Sequence, residues 1–388
     1  MKNVIVLGFS GSIGTQAADI LYHDKDNFNV VGFSIGYKTR TISHFIKKFP
    51  NAKHIFMRSE KSKKYYAKKY PQIHFYSEED DGLKSLIINS NCDMVINALV
   101  GFVGFMPSIV ALKNNKILCL ANKESLVVGG ELINELLNQG NGKLYPIDSE
   151  HVAISKCLHV DNKNVKKIII TASGGAFRDL NRDQLIDVTV KEALNHPTWK
   201  MGNKITIDSA TLVNKTFEII EAHYLFNYPY NKIDVLLHKE SYVHSLISYK
   251  NGTFRADISK PDMHNPIKWA LYEGNISYKT YLINNLNELD KFHFKPFDIN
   301  RYPIVKFAKK VIDRKGTYGA CLNASNEVAV RAFLNEKIKF LDIEYVINKC
   351  MGNHKNITHP SYEDIVKANN ETIKYATKLV NKLSKERN

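Results

Sequence analysis

An apolar run opens this chain and passes straight into a glycine turn. Val4–Leu7 is unbroken hydrophobic sequence, and Gly8-Phe9-Ser10-Gly11-Ser12-Ile13-Gly14 follows at once. Helix-compatible residues then continue to Tyr22. Glycines at three-residue spacing between an apolar strand and a helix describe a tight β-turn-α unit. Its glycines allow a sharp turn and close backbone approach. The helix start offers unpaired N–H groups and partial positive charge to a pyrophosphate. A glycine pattern alone more often marks an ordinary turn, so its weight comes from the strand before and the helix after. The alternation continues: Val30–Ile35, Asp93–Leu99, Lys116–Ala121 and Leu144–Ile147 read as buried strands. Ile13–Tyr22, Thr41–Phe49 and Met106–Lys113 read as helices. This pattern predicts a parallel, doubly wound sheet.

The second strand bears on which nucleotide fits. An NAD site places an acidic residue about 20 residues beyond the glycines, on the ribose 2′-hydroxyl. Here no Asp or Glu occurs from Phe28 through Ser59, and the strand runs into Gly36-Tyr37-Lys38-Thr39-Arg40. Those cations suit a 2′-phosphate, so NADP(H) is favoured over NAD. A merely basic loop in a basic protein is the competing reading.

With 388 residues the chain is long enough for two or three domains at roughly 150 residues each. The overall class expected is α/β: an N-terminal Rossmann-like doubly wound sheet (1–147), a central α+β catalytic domain (148–274) and a C-terminal helical domain (299–388). Residues 275–298 read as a connecting segment. In the middle, Val165–Ser173 reads as a strand, and Ile233–His238, Val243–Tyr249 and Gly252–Ile258 follow close together. Asn251-Gly252 is a strong hairpin signal. Beyond Tyr302 at least three helical segments are expected, at 303–315, 324–335 and 362–384.

The formal charge is +15, which raises nucleic acid as a partner. Anionic small substrates or a lysine-rich surface would give the same number. Lysines crowd between Lys47 and Gln72, and a solvated helical face explains them best, since no base-stacking module accompanies them. Five scattered cysteines without a C-x-x-C pair argue against a disulfide framework or zinc finger. No segment approaches the roughly 20 apolar residues of a membrane span. The expectation is a cytoplasmic protein of bacterial type or a mature organellar form, binding neither membrane nor nucleic acid.

Several polar constellations carry chemistry. Asp148-Ser149-Glu150 follows an apolar strand, and carboxylates two apart in an extended chain face one way. Such a pair can chelate Mg²⁺ or Mn²⁺, though alone it reads as a surface turn. In Asp208–Glu218, a helix would bring Asn214, Lys215 and Glu218 onto one face. That face is ordinarily solvated surface, but it also supplies what a metal-plus-phosphate site requires. Ser173-Gly174-Gly175 is a second small-residue turn after a strand. His196-Pro197-Thr198-Trp199-Lys200-Met201-Gly202 reads as a lid loop near 195–203 or as a packed loop around a buried Trp.

Taken in order with Ala121–Leu126, Pro261-Asp262-Met263 and Leu322-Asn323-Ala324-Ser325-Asn326-Glu327, these segments resemble the 1-deoxy-D-xylulose 5-phosphate reductoisomerase family over nearly the whole chain. The resemblance implies a homodimeric enzyme of isoprenoid biosynthesis. Its reaction would isomerise 1-deoxy-D-xylulose 5-phosphate through a retro-aldol cleavage and re-aldolisation, with reduction by NADPH to 2-C-methyl-D-erythritol 4-phosphate. It implies Asp148, Glu150 and Glu218 as ligands of Mg²⁺ or Mn²⁺, and Ser173, Ser209, Asn214 and Lys215 at the substrate phosphate. Ser149 would touch a substrate hydroxyl, and Lys123 would lie near the reacting carbonyl. His196, Trp199 and Met201 would belong to the lid, with His196 also a catalytic and substrate-binding residue and Trp199 a substrate contact. Gly8, Ser10, Gly11, Ser12, Ile13, Gly36, Lys38, Asn122, Glu124 and Gly202 would serve the cofactor. Phe9, Val152, His264 and Asn265 depart from the family's usual residues, as does His238-Lys239-Glu240-Ser241. The runner-up is a related NADP-dependent oxidoreductase acting on another phosphorylated sugar. A nucleotide-binding scaffold without catalysis would have no need of the three carboxylates.

Overall fold

Residues 1–36, 38–275, 287 and 292–387 are described by a computed structural model of the chain. Of the expected connection at 275–298, residues 276–286 and 288–291 lie outside the described residues. The chain divides into two compact units. The first comprises Met1–Ser125, Ile133–Asp148 and 262–275, and the second comprises Leu126–Leu132, Ser149–Pro261 and 292–387.

The first unit is built on seven parallel strands: β1 (Lys2–Leu7), β2 (Phe28–Ile35), β3 (His54–Met57), β4 (His74–Tyr76), β5 (Met94–Asn97), β6 (Ile117–Leu120) and β7 (Lys143–Pro146). Their order is β4-β3-β2-β1-β5-β6-β7. Parallel pairing requires crossovers, supplied by α1 (Ser12–His23), α2 (Ile42–Lys48), α3 (Glu60–Lys69), α4 (Gly82–Asn89), α5 (Phe105–Lys113) and α6 (Lys123–Gln139). The strand order reverses direction between β1 and β5, so their carboxyl ends open the crevice where such sheets bind ligands. The glycine turn stands at that end of β1.

The strands expected from the apolar runs are all present, within a few residues at their ends. β3 and β4 lie outside the expected strands, being four and three residues long and set within and just after the lysine-rich stretch. They nonetheless continue the parallel ladder, with Gly32 opposite His54 and Ile55 opposite Phe75. Between them α3 carries the lysines, is capped by Ser59 and has no buried residue. It is the solvated face that its composition predicts.

Phe9 is fully buried. Its ring stacks on Phe33 at 4.7 Å and meets Phe45 and Phe49 edge-on at 4.6 and 5.5 Å. This departure from the family pattern therefore packs an aromatic cluster beneath the glycine turn. Val152 and Asn265 are likewise buried. His264 opens α11 (His264–Leu271), with Nδ1 2.9 Å from Asp262.

The second unit holds a five-stranded sheet in the order β11-β10-β8-β9-β12. Its strands are β8 (Val165–Ala172), β9 (Ile233–His238), β10 (Val243–Tyr249), β11 (Phe254–Ile258) and β12 (Phe294–Pro296). β10 and β11 form the expected hairpin, with Gly252 at φ +87° in its turn. β8 and β9 run parallel, so a crossover must join them. Residues 173–232 make it, and they include α8 (Val190–Ala193), α9 (Asn203–Thr211) and α10 (Val213–Phe226). α7 (Ser149–Val160) precedes the sheet. The chain ends in α12 (Lys306–Arg314), α13 (Tyr318–Leu334), α14 (Phe340–Asn353) and α15 (Tyr362–Arg387). Ile168, Ile170, Phe217 and Ile220 share one apolar core with Leu322, Phe333, Ile343 and Ile347, so sheet, crossover and terminal helices pack together. Among the described residues no helix is long and apolar enough to cross a membrane. All five cysteines are free and buried, and burial pushes the Cys157 thiol up to about 11.

Replacing Phe9 by Ala would empty the centre of the aromatic cluster. The expected loss is about 3–5 kcal/mol of unfolding free energy. Denaturant titration measures it, and a loss near zero would contradict the packing described.

Candidate functional site

In the first unit, the end of β1 is shaped by what glycine leaves out. Gly8 has φ +80°, and a Cβ on Gly14 would stand 2.2 Å from the Gly8 carbonyl oxygen. No side chain there could be accommodated. The turn is pinned from β2: the Gly8 N–H donates to Ser34 Oγ at 2.8 Å and the Phe9 N–H to the Ser34 carbonyl at 3.0 Å. Ser34 is a residue that the glycine pattern gave no reason to single out. Gly11 sits at the start of α1 and offers no side-chain cap, so the amides at Ser12 and Ile13 begin the helix without one. Gly11, Ser12, Gly36 and Lys38 are exposed, while Gly8, Ser10 and Ile13 are half-buried. Lys38 Nζ lies 3.4 Å from the Ser10 carbonyl, which brings the basic loop after β2 to the glycine turn. A cradle free of Cβ atoms, an uncapped helix start and an adjacent lysine fit a nucleotide carrying a 2′-phosphate.

Asn122 and Glu124 are buried in the same unit. The Asn122 amide donates to the carbonyls of Leu99 and Gly101 at 2.9 and 3.0 Å and to Glu124 at 3.1 Å. Its oxygen accepts from the Ser125 N–H at 3.1 Å, capping α6. The side chain is thus consumed in shaping the loops around it. The neighbouring Lys123 pairs with Asp148 at 2.7 Å, both side chains largely shielded.

In the second unit, the crossover between β8 and β9 gathers most of the remaining site residues. α9 is closed by Leu212, a non-glycine residue at φ +62°, and α10 follows it immediately with no side-chain cap. This left-handed break turns the chain so that Asn214 and Lys215 occupy the first turn of α10. Lys215 is 4% exposed and Glu218 1% exposed. The Lys215 ammonium donates to Glu150 at 3.0 Å, to the Thr171 carbonyl at 2.5 Å and to Glu218. Burial works to lower this lysine's pKa, but the charges of Glu150 and Glu218 outweigh it and raise the pKa above the ordinary value. Asn214 Nδ2 donates to the other Glu218 oxygen at 2.5 Å, and Ser149 Oγ to Glu150 at 2.6 Å. Two carboxylates thus share one ammonium. Asp148 precedes Ser149 directly, so its Cα is within about 7.6 Å of that of Glu150. Carboxylate oxygen donors are what a hard divalent cation requires.

Beside this cluster, Gly175 lets the Ser173 turn press against α9. A Cβ on Gly175 would stand 2.7 Å from both Ala210 Cα and the Ser209 carbonyl oxygen. Ser173 and Ser209 therefore come from two segments in direct contact. Ser173 Oγ also meets His196 Nε2 at 3.0 Å. His196 Nδ1 accepts the N–H groups of Thr198 and Trp199 at 3.1 and 2.9 Å. The ring proton must then sit on Nε2, which donates to Ser173. Burial, reinforced by the charge of Arg178, pushes His196 down to about 4. Trp199 and Met201 are half-buried in the same loop, with the Trp199 ring 6.3 Å from that of His244. Gly202 is exposed and begins α9, so it falls in the second unit, unlike the other expected cofactor residues.

Arg178 and His151 were not singled out from sequence. Arg178 donates to the Ser173 carbonyl at 3.3 Å, and Gly174 packs beneath its side chain. His151 Nε2 meets the Glu218 carbonyl at 3.0 Å. Arg178 had no motif to mark it. His151 stood beside a marked one, next to Glu150.

His196 is expected to remain neutral, with its proton on Nε2, throughout the physiological range. Because its pKa is depressed from 6.5, the stability it lends is full above about pH 6.5 and is lost as pH falls toward 4. Imidazole ¹⁵N shifts measure this, and titration near pH 6.5 would refute the geometry.

Three family models match the chain: 1-deoxy-D-xylulose 5-phosphate reductoisomerase at residues 4–130, its C-terminal domain at 144–226, and the DXP reductoisomerase C-terminal domain at 258–375. The 1-deoxy-D-xylulose 5-phosphate reductoisomerase of Halalkalibacterium halodurans is 41% identical over 382 residues, 98% of this chain and 100% of the relative. A DOX-P reductoisomerase solved with NADPH, fosmidomycin and magnesium superposes with TM-score 0.91 at 31% identity, covering 98% of each chain. The Zymomonas mobilis 1-deoxy-D-xylulose 5-phosphate reductoisomerase in complex with NADPH gives 0.89 at 32% identity, covering 98% of this chain and 99% of that one.

Proposed function

The chain belongs to the 1-deoxy-D-xylulose 5-phosphate reductoisomerase family, and on that premise we propose the part that each of its residues plays. The activity is the NADPH-dependent, metal-dependent conversion of 1-deoxy-D-xylulose 5-phosphate to 2-C-methyl-D-erythritol 4-phosphate in isoprenoid precursor biosynthesis. The observation that carries the reading is the buried Lys215 ammonium held by Glu150 and Glu218 beside the Ser173–Ser209 contact.

Asp148, Glu150 and Glu218 would hold Mg²⁺ or Mn²⁺. When bound, the cation supplies Lewis acidity to the substrate's carbonyl and hydroxyl oxygens, and NADPH supplies hydride. Ser173, Ser209, Asn214 and Lys215 would grip the phosphate, with Asn214 and Lys215 turning to it as they release Glu150 and Glu218 to the cation, aided by the uncapped start of α10. That grip anchors the end of the substrate that does not react, so its binding energy orders the end that does. Lys123, held by Asp148, would face the reacting carbonyl, and Ser149 a substrate hydroxyl. His196 stays uncharged and keeps an N–H on Ser173. With Trp199 and Met201 it forms the cover that excludes water. Gly8, Ser10, Gly11, Ser12, Ile13, Gly36 and Lys38 would take NADPH, with Lys38 on the 2′-phosphate. Glu124 and Gly202 belong to the same proposal. Asn122 would act there through the loops it shapes, since its amide is already engaged. We also propose a cytoplasmic homodimer, and a division into cofactor (1–147), catalytic (148–274) and helical (299–388) parts.

The decisive assay follows NADPH oxidation with deoxyxylulose phosphate, with and without Mg²⁺ or Mn²⁺. Metal-dependent oxidation is expected, and its absence would overturn the assignment. Glu218→Gln should abolish turnover with NADPH affinity kept. Normal turnover in that variant would remove Glu218 from the metal site. Lys215→Ala should raise KM for the substrate by about thirtyfold or more, the cost of unpairing a buried charge. An unchanged KM would remove Lys215 from the phosphate.

A further inference from the structure

The Leu322–Glu327 motif of α13 lies outside the residues assigned so far, yet three of its polar members are wholly buried. Asn323, Ser325 and Asn326 are 0% exposed. Asn326 Nδ2 donates to Asp208 Oδ1 at 2.8 Å. The other Asp208 oxygen pairs with Lys204 Nζ at 2.9 Å, and Asp208 itself is 2% exposed. Lys204 Nζ also lies 5.2 Å from the centre of the Phe217 ring. One buried carboxylate therefore joins three things. Lys204 stands two residues after Gly202, where the 195–203 loop ends. Ser209 follows Asp208 directly. Asn326 belongs to a helix more than a hundred residues away in sequence.

For stability alone, an apolar pair of the same volume would serve as well or better than a buried carboxylate with its partners. What the polar pair adds is direction, because a satisfied buried hydrogen bond holds its two partners in one orientation and so favours one rotation of α9 about its axis. That rotation decides where Ser209 points. On its Ser209–Ala210 side, α9 is pressed by the Ser173 turn, with no room for a Cβ on Gly175. Elsewhere it is held through Asp208 by Asn326.

We propose that Asp208 and Asn326 are positioning residues for substrate binding: their hydrogen bond sets α9 so that Ser209 faces the Ser173 turn and the two serines grip the phosphate together. Lys204 extends the same hold to the end of the lid loop. This rests on the reading of Ser173, Ser209, Asn214 and Lys215 as the phosphate cradle. α13 thereby acquires a role in the reaction, exerted through α9.

The test exchanges the two side chains in the full-length protein, assayed with NADPH, a divalent cation and deoxyxylulose phosphate. Asn326→Asp alone sets two carboxylates against each other. It should raise KM for the sugar phosphate about tenfold, the worth of a lost charge-assisted hydrogen bond. kcat should stay within about twofold and KM for NADPH should not move. Asp208→Asn combined with Asn326→Asp moves the amide to position 208 and the carboxylate to position 326, which restores the bond. Its KM should return to within about threefold of the parent. Inorganic phosphate, used as a competitive inhibitor, should weaken and recover in parallel. If Asn326→Asp does not fold, Asn326→Ser is read in its place, with the same expected rise in KM. An unchanged KM in the single variant, or a folded exchange variant no better than the single one, overturns the proposal. So does a fall in kcat and NADPH affinity alongside the rise in KM, which marks general loosening. If the parent itself does not consume deoxyxylulose phosphate, it is the functional reading that fails.

Discussion

A buried ammonium between two carboxylates organises the second unit. Lys215 has almost no contact with water, and burying a bare charge is costly. It is tolerated because all three of its protons are placed, on Glu150, Glu218 and the Thr171 carbonyl. Each partner comes from a different element: α7, α10 and the end of β8. The cluster thus fixes how the crossover helices meet the sheet. Grouped carboxylates are an energetic liability in an apolar interior and an asset where a divalent cation is to be bound.

Topology explains why the functional residues gather here. Parallel strands cannot be joined by a hairpin, so β8 and β9 need a long connection. That connection departs from the carboxyl end of β8 and carries the Ser173 turn, the His196 loop, α9 and the first turn of α10. The same constraint operates at the carboxyl end of β1, where the crossover begins with the glycine turn. Both units thus place a glycine turn where a parallel strand gives way to its crossover.

Much of this was legible in the sequence. The strand–turn–helix at Val4–Tyr22, the Asn251-Gly252 hairpin and the helical face of Asn214, Lys215 and Glu218 follow from local periodicity and turn chemistry. β3 and β4 were not legible, because three or four residues beside a lysine run carry too little pattern. α14 was legible, since Phe340, Ile343, Val346, Ile347 and Cys350 repeat at helical spacing and are buried. α13 starts at Tyr318, ahead of the expected 324, and Gly319 in its first turn is a residue type that weakens a helical reading. Ser34, Arg178 and His151 act through backbone carbonyls and amides, a kind of contact no residue spacing encodes. The departure at Phe9 turned out to be an interior matter, since its ring completes an aromatic cluster.

The account stands on the carboxylates around Lys215 forming a cation site. Mn²⁺ binding followed by electron paramagnetic resonance tests this without reference to turnover. One bound Mn²⁺ per chain is the expected result, with the signal of free ion returning in Glu150→Gln. A parent protein that leaves Mn²⁺ free in solution, or a Glu150→Gln variant that holds it as tightly as the parent, would contradict the account.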